Sequence, residues 1–111
     1  MSLRITWYSE NGVKAALLEG RIDSSNTMLF RQSIFEGITD EDHVLILEFS
    51  NINFISSAGL RVVLELAKTF RPPRSFSICG LPFAVREVFE ISGFDQIVNI
   101  YETLEEAKTE Q

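Results

Sequence analysis

The 111-residue sequence predicts an α/β domain on a largely parallel sheet. Three observations predict it. After an opening hairpin, apolar stretches of strand length alternate with stretches of helical period. One stretch, Val44-Leu45-Ile46-Leu47-Glu48-Phe49, is nearly continuous apolar sequence, as expected of a central strand covered on both faces or flanked by partners. Gly, Pro and helix-capping residues punctuate the boundaries between the stretches.

Leu3, Ile5 and Trp7 alternate with Arg4, Thr6 and Tyr8, the pattern of a half-buried strand. Glu10-Asn11-Gly12 supplies a turn, because Asn and Gly tolerate the positive φ that hairpins need. Val13 to Glu19 reads as the partner strand, ended by Gly20. Asp23-Ser24-Ser25-Asn26 is a cluster of capping residues, so a helix is expected from Asn26 to Gly37. Phe30, Ile34 and Ile38, four apart, form its buried stripe. Thr39 to Asp42 is a polar link to the apolar strand, and Ser50-Asn51-Ile52-Asn53 reads as a turn out of the sheet.

Ser56-Ser57-Ala58-Gly59 opens a second helix that runs to Thr69 or Phe70. Leu60, Val63, Leu64, Ala67 and Phe70 sit at helical spacing, and Val62 and Leu66 broaden the face. This helix is therefore expected to be the most buried. Arg71-Pro72-Pro73-Arg74 ends it, because Pro cannot continue the hydrogen-bond ladder. Ser75 to Cys79 is a fourth strand. Pro82 suits a first helical position, and Phe83 to Ser92 is a third helix with Val85, Val88 and Phe89 inward. Gly93 is a natural C-cap. Gln96 to Tyr101 reads as a fifth strand and Thr103 to Thr109 as a short acidic helix anchored by Leu104 and Ala107. The order is β-β-α-β-α-β-α-β-α, with right-handed crossovers. No internal repeat or boundary divides it, so residues 1–111 are read as a single domain.

Composition narrows the function. Hydrophobic residues make up 45% of the chain, enough for one core, and nine Phe supply much of the bulk. A net charge of −6 makes nucleic acid and anionic membrane poor partners; a basic patch on another protein suits it better. Cys79, the only cysteine, has no disulfide partner and reads as a small buried hydrophobe. The start, Met1-Ser2-Leu3-Arg4-Ile5, lacks the apolar run of a signal peptide, and no run approaches the roughly 18 apolar residues of a membrane span. The expected location is the cytoplasm.

Catalytic patterns are missing. His43, the only histidine, sits beside Asp42 at a strand mouth, where a solvated or capping role is the simple reading. No serine lies in a Gly-x-Ser-x-Gly elbow, no phosphate loop is present, and no cluster has metal-ligand spacing. Neither catalytic residues, metal nor cofactor is expected. One constellation stands out. Ser56 and Ser57 open a helix whose N-terminus carries unpaired N–H groups and a positive dipole end, suited to a phosphate. Gly59 in the first turn permits close approach to the backbone. From chemistry alone, the two serines are either plain caps or a cap and a functional hydroxyl. Asp23, Ser56 and Ser57, and Gly80 all follow strands, so in a parallel fold they are expected to meet at one end of the domain; Asp23 to Asn26 equally serve as caps for the first helix.

The stretch Asn53-Phe54-Ile55-Ser56-Ser57-Ala58-Gly59-Leu60-Arg61-Val62-Val63-Leu64 resembles the signature of the STAS-domain anti-sigma-factor antagonists. Leu18-Glu19-Gly20-Arg21-Ile22-Asp23 is similar to that family's Gly-x-x-Asp before its first helix. Val85 to Phe94 is similar to its last long helix and exit. The resemblance covers nearly the whole chain. It implies the STAS fold, a mixed sheet of four to five strands with helices packed mainly on one face. It also implies a non-catalytic switch. The unphosphorylated antagonist binds an anti-sigma factor that is also a serine kinase, which frees a sigma factor. Phosphorylation turns it off, and a serine phosphatase restores it. The phosphoacceptor position corresponds to Ser57, with Ser56 the alternative, because this chain has Ser56 where some members have Asp. The implied partner face is Asp23, Ser24, Ser56, Ser57, Gly59 and Arg61. The alternatives are a STAS subunit of a stress-signalling or lipid-transport complex and, less in keeping with the residues, a nucleotide-binding or serine-dependent enzyme.

Overall fold

The computed structural model describes residues 3–110; Met1 and Ser2, part of the signal-peptide reading, and Gln111 lie outside them. Five strands form one sheet in the order β1-β2-β3-β4-β5. They are β1 (Leu3–Glu10), β2 (Val13–Ile22), β3 (Val44–Ile55), β4 (Ser75–Cys79) and β5 (Asn99–Tyr101). The helices are α1 (Thr27–Gly37), α2 (Ser57–Thr69), α3 (Phe83–Ile91) and α4 (Leu104–Thr109). β1 and β2 are antiparallel. The β2/β3, β3/β4 and β4/β5 pairs are all parallel. The hairpin turns through Asn11 and Gly12 at φ 49° and 81°, the left-handed pair a two-residue connection requires.

Alternation along the strands builds two unequal layers. Ala16 and Leu18 of β2, Leu45, Leu47 and Phe49 of β3, and Phe76 and Ile78 of β4 face α1, α2 and α3 in the main core. The opposite face carries Ala15, Ile46 and Cys79, covered by Ala107 of α4. Helices thus lie mainly on one face. α2 is the most buried, with Gly59, Leu60, Val62, Val63 and Leu66 all inside. Each fully buried apolar side chain of this kind contributes about 1.5–3 kcal/mol, so α2 is fixed firmly. Phe89 meets Phe49 and Phe94 edge to face, with centroids 5.9 and 6.3 Å apart. Cys79 is fully buried. Burial first and the Glu48 carboxylate second push its thiol up to about 12, which keeps it neutral and unreactive.

Three boundaries differ from the expectations. Ser50 to Asn53 is not a turn: β3 continues to Ile55. β4 pairs with β3 only as far as Glu48, so the later part of β3 has β2 as its neighbour and tolerates polar, exposed residues while Ile52 and Ile55 stay buried. Two register shifts, each with an extra residue on β3, bend this extension. The fifth strand begins at Asn99, not Gln96. Phe94–Gln96 is a 3-10 turn, and the amides of Ile97 and Val98 donate to the Phe94 carbonyl instead of to a ladder. Finally, α1 starts at Thr27, because Asn26 is drawn into the preceding loop.

Candidate functional site at the carboxyl end of the sheet

Two chain crossings meet where β2 and β3 end. Ile22 pairs with Ile55, and the Ser56 amide donates to the Ile22 carbonyl at 2.9 Å. This bond ties the start of α2 to the residue before Asp23. Arg21 strengthens the junction. Its Nε donates to Asp23 at 2.9 Å, and its guanidinium lies 4.6 Å from the ring centroid of Phe54. The expected convergence of Asp23 with Ser56 and Ser57 is therefore observed, but Gly80 does not join them: β4 ends opposite Glu48, and Gly80 lies beside Glu48 and Ser50.

The two serines divide the work. Ser56 is the N-cap of α2, with extended φ and ψ, and its Oγ accepts from the Gly59 amide at 3.1 Å. Ser57 is the first helical residue and is exposed. Among the described residues, its hydroxyl makes no hydrogen bond within the chain. The cap role is thus filled by Ser56, and Ser57 Oγ stands in solvent beside the amides of the first turn.

Gly59 is buried, and its role is inward. A side chain there would come within 2.8 Å of Ile22 and 2.9 Å of Ile55, so the glycine lets α2 sit directly on the strand ends. The close approach that the sequence suggested is made by the chain's own isoleucines. Arg61, one turn on from Ser57, is exposed and forms no ion pair among the described residues.

The Asp23 loop is held by its own polar groups. The Asp23 carboxylate accepts from the Ser25 hydroxyl at 2.6 Å and from the Ser25 amide at 2.9 Å. These bonds, first the Ser25 hydroxyl and then Arg21, hold its pKa below the ordinary 3.8. It is therefore an anion throughout the neutral range. Asn26, expected among the caps of α1, does not cap it with its side chain. It faces back, taking the Asp23 amide on Oδ1 and donating Nδ2 to the Arg21 carbonyl, both at 2.9 Å. Ser24 is exposed. The carboxylate of Asp23 is thus committed to the loop, while Ser24, Ser57 and Arg61 point groups outward.

Residue patterns did not single out the apolar part of this surface. Phe54 is 42% exposed, and Met28 and Leu29 on the first turn of α1 are 78% and 49% exposed. The signal for Phe54 is the second register shift of β3, which turns out a large side chain that strict alternation assigns no clear face. For Met28 and Leu29 it is their place off the Phe30–Ile34 stripe. The cavity of about 300 Å³ lined by Phe70, Arg71, Arg74 and Phe76 lies at the other end of α2, away from these residues. No group of acidic, histidine or cysteine side chains among the described residues is arranged to hold a metal ion. No described helix is long and apolar enough to cross a membrane.

Comparison with known proteins places this arrangement. The family model described as "STAS domain" matches residues 7–107. A Bordetella bronchiseptica protein named as a candidate anti-sigma factor antagonist, BtrV, is 34% identical over 95% of this chain and 91% of its own length. Anti-sigma-F factor antagonist RsfB of Mycobacterium tuberculosis is 23% identical over 97% of this chain and 88% of its own. Among solved structures, an anti-sigma factor antagonist from Mycobacterium paratuberculosis superposes with a TM-score of 0.90 at 23% identity, covering 97% of this chain and 92% of that one. Unphosphorylated SpoIIAA, also an anti-sigma factor antagonist, superposes with a TM-score of 0.78 at 21% identity, over 94% and 92% of the two chains. With the family model matched over nearly its whole length and a relative 34% identical across it, the chain belongs to the STAS domain family.

Proposed function

We infer that this protein is an anti-sigma-factor antagonist, a switch that binds an anti-sigma factor when Ser57 is free and releases it when Ser57 carries phosphate. The observation that carries the reading is the division between the serines: Ser56 is consumed as the cap, and Ser57 is exposed and, among the described residues, unbonded at the same helix N-terminus. The relatives named as anti-sigma factor antagonists support it. The protein acts by binding rather than by turnover. Its partner is an anti-sigma factor that is also a serine kinase, a serine phosphatase resets the switch, and the setting is cytoplasmic.

The physics of the switch follows from the site. A phosphoserine brings about −1.5 to −2 charges and three acceptor oxygens. The dipole end of α2 and its free amides favour that charge by about 0.3–1 kcal/mol, and Arg61 at i+4 adds about 0.2–0.5 kcal/mol. The domain therefore tolerates the modification. A partner closing over Ser57 meets a hydrated dianion, whose unpaired burial costs several kcal/mol. Asp23, Ser24, Arg61, Phe54, Met28 and Leu29 complete the contact face, with apolar anchors beside charged groups.

Affinity capture from the native cell, with the unphosphorylated chain as bait, tests the reading. The expected captive is an ATP-binding serine kinase that lets go when ATP is added. Recovery only of a transporter or of a kinase-free stress-signalling assembly contradicts it and favours another STAS system.

A further inference from the structure

The sheet has two edges, and they are treated differently. β5 is an edge of three residues, Asn99–Tyr101. β1 is an edge of eight residues, paired with β2 in unbroken register from Leu3–Gly20 to Glu10–Val13. It contains no proline and no bulge, the usual devices that stop an edge from pairing with another chain.

The hairpin fixes which groups this edge offers. In a two-residue hairpin the flanking residues, Glu10 and Val13, form a hydrogen-bonded pair, and such pairs then alternate. Tyr8, Thr6 and Arg4 therefore direct their amides and carbonyls to β2. Ser9, Trp7 and Ile5 direct theirs outward.

Only two charges lie on β1, Arg4 and Glu10, and they are symmetric about Trp7. An antiparallel copy centred on Trp7 sets Trp7 opposite Trp7 and Ile5 opposite Ser9, so outward groups meet outward groups. The same register places Arg4 opposite Glu10 twice, on one face of the sheet. Registers shifted by one residue per strand pair lose the match of outward groups, and the other matched registers leave Arg4 without a carboxylate opposite. Arg4 reaches Glu19 of its own chain only at 3.8 Å, through exposed side chains, a contact too weak to hold it back.

We propose that β1 is a self-association edge: two copies join through antiparallel β1 strands centred on Trp7, making one continuous sheet across a two-fold axis. The site end of each copy is the Leu3 end of β1, because Gly20 pairs with Leu3 and Ile22 with Ile55. Antiparallel joining puts the two Ser57 sites at opposite ends of the dimer. Dimerisation and partner binding are then compatible, and the dimer does not depend on the switch.

Sedimentation equilibrium of the full chain over a concentration series tests this, with emission from Trp7, the only tryptophan, as a second readout. A monomer–dimer equilibrium is expected, with Trp7 emission changing in step. Ser9→Pro removes an outward amide that β2 does not use, and it should keep the fold and abolish the dimer. Arg4→Glu or Glu10→Arg alone should weaken the dimer roughly tenfold, and the double variant should restore it. A chain that is monomeric at every concentration overturns the proposal. A dimer that survives Ser9→Pro overturns it as well. Failure of the double variant to recover what each single one loses overturns the register.

Discussion

The two ends of the sheet carry polar residues of similar kinds and use them in opposite ways. At the amino end of β3 the charged groups of Lys14, Asp42 and Arg74 are spent inside the chain. Asp42 is 7% exposed; its carboxylate takes the Thr39 amide at 2.8 Å and lies 3.3 Å from Lys14 Nζ. Lys14 also donates to the Gly37 carbonyl at 3.0 Å. Arg74 donates to the carbonyls of Asp42 and Thr39 at 2.9 and 2.8 Å and stacks 3.9 Å from the Phe70 centroid. At the carboxyl end the backbone is just as well tied, but Ser24, Ser57 and Arg61 are left in solvent with apolar neighbours. Internal satisfaction fixes a fold. Groups left outside on a well-fixed helix are available to a partner, and the proposed recognition face rests on that difference.

The comparison breaks most visibly if the amino end matters to binding. Asp42→Ala removes the acceptor of a largely buried ion pair and should cost about 2–3 kcal/mol. Chemical denaturation measures that loss, and affinity for the anti-sigma factor should stay unchanged once the variant is folded. At the other end the effect inverts. Ser57→Asp should melt like the parent yet bind roughly a hundredfold more weakly, about 2.8 kcal/mol, by titration calorimetry; Ser57→Ala should keep binding. Ser56→Ala sharpens the contrast between neighbours. It should lose about 1 kcal/mol of stability with the cap and remain a kinase substrate. Arg61→Glu is the mildest for the fold, within about 0.5 kcal/mol, and its effect should show in the binding constant; an equal loss of stability would make Arg61 structural.

Much of this was legible before any coordinates. The α2 start was readable because two serines, a small residue and glycine precede a strong 3.6-residue period, and the observed helix begins at Ser57 with Ser56 as its cap. The strands Val44 to Phe49 and Ser75 to Cys79 were readable from apolar density. What was not legible depended on neighbours distant in sequence. Ser50 to Asn53 looks like a turn because its polar residues conceal a strand whose one partner is β2. Asn26 looks like a cap, and only the Arg21 carbonyl and Asp23 amide show that it closes a loop. Arg74 reads locally only as part of the proline segment that ends α2, since nothing local reports carbonyls more than thirty positions away. Which serine caps and which is free is likewise a matter of geometry that two adjacent identical residues cannot announce.

That last distinction is the centre of the account, and one measurement addresses it most directly. The purified chain, with Ser56→Ala and Ser57→Ala beside it, is incubated with the captured kinase and ATP, and the phosphate is located by mass spectrometry. One phosphate is expected on Ser57 in the parent and in Ser56→Ala, and none in Ser57→Ala. Phosphate on Ser56, or on neither serine, would contradict it.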